Sequence, residues 1–379
     1  MVNLTRLFNE FYNSEKAGGL VLVFVTLLSL GLANSPFQKE YLAFWHLNLG
    51  GHDVVHWIND GLMTIFFLLI GLELEREIYV GELSDFKNAS LPIFAAIGGM
   101  VVPAVLFILL NIGTDYISGA GIPMATDIAF AVGILSLLGK KVPPSLKIFL
   151  TALAVADDLG AILIIAIFYT ASLAYTNLFM ALGIFGILIF LNRIKVNNLV
   201  PYLAGGAAMW YFMLNSGVHP TVIGVLLAFA IPFGDGSEKS PSFILQHFLH
   251  KPVAFIILPL FAIANTCVPV AGNFLYGLSQ SYTLGIIAGL VIGKPLGIWL
   301  FSFIAVSLGL CKLPYGLNWK RITGAGFLGG IGFTMSIFIT LLAFEDAILV
   351  NTSKFAILMA SVIAGITGFI WLNRTLKDA

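Results

Sequence analysis

Charged residues are scarce in this 379-residue sequence. Asp, Glu, Lys and Arg together make up only 10% of it, 59% of the residues are hydrophobic, and the formal net charge is zero. Soluble domains contain about 25% charged residues, so this composition indicates an integral membrane protein. The sequence also has no basic run, which argues against nucleic acid as a partner.

Cysteines and catalytic motifs are nearly absent as well. The two cysteines, Cys267 and Cys311, lie far apart and form no CxxC or His/Cys metal pattern, which argues against a disulfide framework. The sequence contains no P-loop, nucleophile elbow or HExxH motif. We therefore expect neither an enzyme nor a bound organic cofactor.

The sequence contains many long apolar runs. A transmembrane helix needs roughly 20 mainly apolar residues, and twelve segments are candidates. Their approximate limits are 17–34, 57–74, 90–111, 121–138, 146–170, 177–192, 199–215, 218–232, 253–268, 283–308, 322–343 and 355–373. The sequence thus predicts an all-α integral membrane protein in which residues 1–379 form a single domain.

Lysine and arginine are concentrated in every second loop between the apolar segments, as the positive-inside rule requires. With the N-terminus inside, Lys39 and Lys354 fall in outside loops and Lys294 falls within the tenth segment, which leaves 16 of the 19 basic residues inside. Both termini are therefore predicted to be cytoplasmic, as an N-terminal segment (1–16) and a tail (374–379).

Apolar residues in the N-terminal segment recur at helical spacing. Leu4, Leu7, Phe8 and Phe11 would lie on one face of a short helix at the membrane surface. A frayed polar tail fits this stretch equally well.

Four charged residues lie deep within apolar segments. They are Asp127, Asp157, Asp158 and Lys294, and each costs about 2.5–3.5 kcal/mol at the bilayer centre unless it is compensated. A salt bridge with Lys294 would account for one acid of the LAVADDLGAILI stretch (153–164) but not for both. Burial disfavours the charged form of a carboxyl group, and a neighbouring negative charge disfavours it further. Near neutral pH the pair could then hold either protons or a cation, which favours an exchange site.

Two segments carry residues that interrupt a helix. The fourth contains GIPMATDIAFAVG (121–133), with Pro123, Thr126 and Asp127, and the eleventh contains the glycine-rich GAGFLGGIGFTMSIF (324–338). Glycines could simply allow close helix packing. Interrupted segments in corresponding places of two halves, however, are typical of secondary transporters. Segments 3–5 and 10–12 would then form an inverted repeat, and Asp127 would either neutralise helix N-termini, which we favour, or ligate the ion.

These residues resemble the NhaA-type Na⁺/H⁺ antiporters over nearly the whole chain. The motifs are WINDGLMTIFFLLIGLELERE (57–77), ATDIAFAVGILSLLG (125–139), LKIFLTALAVADDLGAILIIAIFYT (146–170), SGVH (216–219), GIIAGLVIGKPLGI (285–298) and GGIGFTMSIFI (329–339). The resemblance implies twelve transmembrane helices, with two broken helices crossing at mid-membrane. It also implies electrogenic exchange of Na⁺ or Li⁺ for a larger number of protons, regulated by pH, in the bacterial inner membrane.

The resemblance also assigns roles to individual residues. Asp158 would be the principal Na⁺ ligand, and Asp157 would alternate between a proton or ion and Lys294. Lys294 would release a proton itself or only form a salt bridge. Thr126 and Asp127 match the unwound part of the first broken helix. Three further acids match those that line the cytoplasmic approach, namely Asp60, Glu73 and Glu77.

Histidines are the candidates for pH sensing. His247 and His250 match the family region before the ninth helix, but Gln246 stands where the family has an acid. His219 in SGVH matches a family histidine, although a buried, hydrogen-bonded structural role fits it too.

The partners that we expect are membrane lipid and a second copy of the chain. The stretch FWHLNLGGHDVVH (44–56) looks too short for the full hairpin through which the family dimerises, so the homodimer is an expectation only. The alternative functions are a cation-coupled symporter of a small organic solute and a passive channel. The residues near the breaks are mainly small, whereas a solute cavity would need aromatic or amide groups.

Overall fold

A computed structural model describes residues 15–84, 86–170, 173–269 and 277–376. Contacts divide the chain into two compact units. Unit 1 comprises Met1–Lys39, Phe86–Asp158 and Asn265–Ala379, and unit 2 comprises Glu40–Asp85 and Leu159–Ala264. The predicted surface helix lies outside the described residues, as do the last three residues of the predicted tail.

Helices account for most of the described chain. In chain order they are α1 (Glu15–Ala33), α2 (Gln38–Trp45), α3 (Val54–Tyr79), α4 (Phe86–Leu110), α5 (Asp115–Met124), α6 (Ile128–Leu137), α7 (Pro144–Phe168), α8 (Tyr175–Arg193), α9 (Leu199–Leu214), α10 (Val222–Ala230), α11 (Pro241–Asn265), α12 (Ser281–Ser307), α13 (Trp319–Gly329), α14 (Phe333–Ala343) and α15 (Ala347–Thr375). Helix α5 is a 3₁₀ helix, and short 3₁₀ turns lie at Glu82–Ser84 and Gly139–Lys141. Between α2 and α3, the short strands β1 (Asn48–Leu49) and β2 (His52–Asp53) form an antiparallel hairpin.

Seven described helices are long and apolar enough to cross a membrane, namely α3, α4, α7, α8, α11, α12 and α15. Three bent pairs raise this number to as many as ten. Helices α1 and α2 meet at 119°, whereas the pairs α5–α6 and α13–α14 bend by only 40° and 49°. The protein is therefore a multi-pass membrane protein.

Two helices begin well before the apolar segments that we predicted for them. Helix α15 begins at Ala347 rather than near residue 355, so Lys354 lies inside this helix and is only 7% exposed. The prediction that Lys354 lies in an outside loop is wrong, because a helix can begin several residues before its apolar run begins. Helix α11 begins at Pro241, so His247 and His250 are helical rather than in a loop.

Glycine allows one very close helix crossing within each unit. In unit 1, a methyl group on Gly297 of α12 would lie 2.0 Å from the carbonyl oxygen of Gly98 on α4. In unit 2, a methyl group on Gly224 of α10 would lie 2.3 Å from the carbonyl oxygen of Thr64 on α3. Small residues of this kind let helix backbones touch in membranes, where packing rather than the hydrophobic effect holds helices together.

Three of the long helices contain a π-helical turn, in which one extra residue widens the helix. These turns lie at Trp57–Leu62 in α3, Val253–Ile257 in α11 and Gly289–Gly293 in α12. The first contains Asp60, and the third ends immediately before Lys294. Turns of this type frequently occur at functional sites, because they free backbone groups and redirect side chains.

We expect Gly297→Ala to destabilise the protein. Alanine normally stabilises a helix relative to glycine by about 0.5–1 kcal/mol, but here the helices would have to separate, and overpacking costs about 1–3 kcal/mol. Thermal unfolding in detergent measures this effect. Gly31→Ala in α1 is the matched control, because a methyl group there would have no neighbour within 4 Å. Equal stability of the two variants would contradict the proposed crossing.

Candidate cation and proton site

A buried ion pair lies at the centre of the site. Asp157 and Asp158 are consecutive on α7 and each is 1% exposed, while Lys294 on α12 is 0% exposed. The ammonium nitrogen of Lys294 lies 2.6 Å from Oδ2 of Asp157. The Asp158 carboxylate is also close enough to act on Lys294 electrostatically. Removing one partner of such a pair typically costs about 3–5 kcal/mol, because the other charge stays buried.

Lys294 also satisfies the end of a helix. Its ammonium group donates a hydrogen bond to the carbonyl oxygen of Met124, the last residue of α5. Carbonyl groups at a helix C-terminus carry partial negative charge and have no partner within the helix. One buried cation thus compensates both a carboxylate and a helix end.

Asp127 plays the opposite role at two helix N-termini. One carboxylate oxygen accepts a hydrogen bond from the backbone N–H of Phe130 in α6, at 3.1 Å. The other accepts from the backbone N–H of Thr334 in α14 at 3.1 Å and from the Thr334 hydroxyl at 2.5 Å. Because N-termini carry partial positive charge, this geometry supports the neutralising role of Asp127 over direct ion ligation.

The two breaks, residues 125–127 and 330–332, satisfy each other. The hydroxyl of Thr126 donates to the carbonyl oxygen of Gly329 at 2.8 Å, and the backbone N–H of Asp127 donates to that of Ile331 at 2.6 Å. Irregular backbone is tolerated at membrane depth only when its polar groups find partners. Here the polar groups of one break are the hydrogen-bond partners of the other. These hydrogen bonds stabilise the irregular backbone of both pairs, α5–α6 and α13–α14, within unit 1.

Charge counting shows what the cluster can bind. Two ionised carboxylates and one ammonium carry a formal charge of −1, so one cation or one proton neutralises Asp157, Asp158 and Lys294. Within the described ranges no three His, Cys, Asp or Glu side chains are grouped around a metal position. Oδ1 of Asp157 is buried and has no hydrogen-bond partner among the described residues, so this oxygen could accept a proton or ligate a cation.

Asp60 forms a second polar centre, in unit 2. Its carboxylate lies between Nδ1 of His56 at 3.3 Å and Nε2 of His219 at 3.4 Å. Its carbonyl oxygen, in the π-helical turn, accepts from the Thr64 hydroxyl at 2.5 Å and from the Trp210 indole at 3.2 Å. Our sequence analysis missed His56, although its i, i+4 spacing from Asp60 was a usable signal.

The three acids predicted to line one approach do not lie together. Glu73 and Glu77 are in the last turns of α3, and thirteen residues separate Glu73 from Asp60, which is about 20 Å of helix. Oε1 of Glu73 lies 3.6 Å from Nδ1 of His250. His247 is exposed and its ring stacks against that of Phe243, with centroids 6.1 Å apart.

Glu75 is a buried acid that our sequence analysis also missed. It is 3% exposed, and its Oε2 has no hydrogen-bond partner among the described residues. Its position four residues after Gly71, on the buried face of α3, was the available signal.

Membrane-spanning helices with charges buried at helix breaks are characteristic of secondary transporters. The fold and the site thus define a membrane transporter of small ions. The chain belongs to the Na⁺/H⁺ antiporter 1 family, whose model matches residues 9–372.

Several curated relatives match the chain along its whole length. A protein of Flavobacterium psychrophilum named Na⁺/H⁺ antiporter NhaA is 66% identical, and the match covers 100% of this chain and 98% of that protein. Proteins with the same name from Cytophaga hutchinsonii and Dechloromonas aromatica are each 59% identical, over 100% and 98% of this chain and 97% and 96% of theirs. These matches confirm the family resemblance.

A solved structure of another protein has a similar fold. The sodium proton antiporter MjNhaP1 from Methanocaldococcus jannaschii, determined at pH 8, aligns with a TM-score of 0.50 at 14% sequence identity. The alignment covers 99% of this chain and 96% of that one.

We expect Asp127→Asn to destabilise the protein by about 2–3 kcal/mol, because asparagine has one acceptor oxygen for two helix N-termini and its NH₂ group would face the N–H donors of the other. Equilibrium unfolding in mixed micelles measures the change. Asp346→Asn is the control, since exposed Asp346 caps only α15 and asparagine is an equally good cap. If both variants unfold alike, Asp127 does not hold two helix ends.

Proposed function

We propose that this protein exchanges Na⁺ or Li⁺ for protons across the bacterial inner membrane at Asp157 and Asp158. The observation that carries the proposal is the buried cluster of two carboxylates and one ammonium, whose excess negative charge one cation or one proton neutralises. Because a carboxylate oxygen that holds a proton ligates Na⁺ poorly, the two ions compete for the same atoms. Competition at a site that faces one side at a time produces exchange rather than leakage.

The proposed cycle uses the ion pair as a proton source. When Na⁺ binds between the two carboxylates, Lys294 loses its counter-charge at Asp157. A desolvated ammonium without a counter-charge releases its proton readily. Together with the proton released from Asp158, this yields more protons than Na⁺ ions per cycle, which makes the exchange electrogenic.

The proposal includes the family architecture of twelve spans with cytoplasmic termini. Two features support it. The pairs α5–α6 and α13–α14 occupy the fourth and eleventh predicted segments, in corresponding places of the two predicted repeats, and they hydrogen-bond to each other. The distribution of Lys and Arg supports the orientation. As part of this architecture, we propose that the two breaks cross near the middle of the membrane.

We further propose that a histidine contact regulates exchange by cytoplasmic pH. With the N-terminus inside, the first turns of α3 face outward, so Asp60 and its contacts with His56 and His219 belong to the outer side rather than to the cytoplasmic approach that the resemblance implied. The last turns of α3 face the cytoplasm, where His250 faces Glu73. His250 is 69% exposed, and histidine ordinarily changes charge within about pH 5–8, so protonation of His250 would turn its contact with Glu73 into an ion pair.

Antiport predicts that Na⁺ collapses an imposed pH gradient in everted membrane vesicles. We expect this response in the parent protein and its loss in Asp158→Asn, because a neutral amide binds neither the cation nor the proton. Acridine-orange fluorescence measures the gradient. Asp346→Asn should respond like the parent. A full response in Asp158→Asn would disprove the site, and no response in the parent protein between pH 6.5 and 9 would disprove antiport.

Regulation by cytoplasmic pH predicts that His250→Gln changes the pH profile without abolishing transport. In everted vesicles, whose cytoplasmic face is turned outward, the exchange rate should lose much of its dependence on bath pH within about pH 5–8. His46→Gln is the matched control, because His46 is a similarly exposed histidine that contacts a different acid, Asp53, at 3.1 Å. Identical profiles of the parent and His250→Gln would contradict the regulatory role.

A further inference from the structure

An apolar cleft in unit 1 reaches the residues of the second break. Its volume is about 420 Å³, and helices α1, α6, α14 and α15 form its walls. Ile331, within the break, and Phe333, the first residue of α14, lie at its floor and are only 2% and 3% exposed. No step of the proposed exchange uses this cleft.

The walls of the cleft offer almost nothing to a polar ligand. Its two hydroxyl groups are already engaged within the protein. The hydroxyl of Thr26 donates to the carbonyl oxygen of Leu22 at 2.7 Å, and that of Ser361 accepts the backbone N–H of Phe333 at 3.2 Å. The remaining lining is aliphatic or aromatic, and apolar cavities of this kind do not bind water. An occupant must therefore be a hydrocarbon.

The cleft opens where the bilayer core lies. Its rim consists of large apolar side chains, of which Leu27, Val362 and Ile366 are 64%, 59% and 56% exposed. Val362 and Ile366 belong to α15, one of the membrane-spanning helices. At this depth the surrounding solvent is lipid acyl chains, so the rim leads from the lipid to the floor.

We propose that this cleft is a binding site for one acyl chain of a membrane phospholipid. A flexible chain that enters past Ile366 restores the dispersion contacts that an empty apolar cleft forfeits. It needs no hydrogen bond, in agreement with the lining. Its headgroup stays at the membrane surface, outside the cleft.

An acyl chain in the cleft would touch residues that connect the two breaks beside the ion site. Ile331 accepts the backbone hydrogen bond of Asp127 through its carbonyl oxygen at 2.6 Å, and the Phe333 ring packs edge-on against Phe130 with centroids 5.0 Å apart. An acyl chain on this floor stabilises the contact between the two breaks. This functional consequence rests on the proposed antiport, whereas the binding itself does not.

Photolabelling in proteoliposomes tests the binding. The probe is a phosphatidylcholine with a diazirine in one acyl chain, mixed into bacterial-type phospholipid, with mass spectrometry of the labelled peptides. We expect label on Ile331 and Phe333, which lipid around the protein cannot reach unless a chain enters the cleft. Label on rim residues alone would overturn the proposal. A free diazirine fatty acid that labels the floor when the phospholipid does not would overturn the assignment to phospholipid.

Variants at the rim make the test specific. Ile366→Trp and Val362→Trp place a bulky ring at the entrance and should each reduce floor labelling several-fold. Leu109→Trp on α4 is the control, because Leu109 is 59% exposed but does not line the cleft. Unchanged floor labelling in both rim variants, or an equal loss in the control, would contradict the proposal. Floor labelling that persists in Asp158→Asn separates the binding from transport.

Discussion

The contact between Lys294 and Asp157 is the constraint on which the rest of the site depends. Both groups are removed from solvent, and each would be costly alone in the membrane. The pair leaves a second carboxyl group, Asp158, in the same buried cluster. A structural salt bridge needs one acid and one base, whereas a cluster with an additional acid can take up a cation or a proton. This electrostatic imbalance, rather than any single residue, is the basis of the ion exchange that we propose.

The free helix ends at the two breaks lower the electrostatic cost of burying charged side chains in the membrane. Breaking a helix exposes carbonyl groups at one half and N–H groups at the other. Lys294 lies at the exposed carbonyl end of α5, and Asp127 lies at the exposed N–H ends of α6 and α14. The side chains that the ion site needs and those that the breaks need are thus partly the same. Lys294 contacts both the Asp157 carboxylate and the backbone end of α5.

Unit 2 uses a different arrangement around Asp60. A π-helical turn frees the Asp60 carbonyl oxygen for Thr64 and Trp210, and two histidines flank the carboxylate. The other end of α3 holds Glu73 beside His250 and buries Glu75 without a described partner for Oε2. One helix therefore bears titratable groups near both of its ends.

Much of this protein was readable from its sequence. Apolar runs, acids that interrupt them and glycine or proline at two breaks are all local features, because the cost of burying a charge or breaking a helix arises at the residue itself. They indicated a membrane transporter and its family, and they predicted the ion site that we propose. Helix limits were less accurate, as Lys354 shows, since a helix continues past its apolar run wherever other helices cover its polar residues.

Only the tertiary structure decided the pairings. Lys294 and Asp157 are 137 residues apart in sequence, and Thr334 and Asp127 are 207 apart. Nothing in the local pattern says which oxygen of Asp127 serves which helix, or that His56 and His219 share Asp60. Sequence by itself therefore determined which charges had to be compensated. The fold decided which group compensates each one, because that depends on how distant helices pack together.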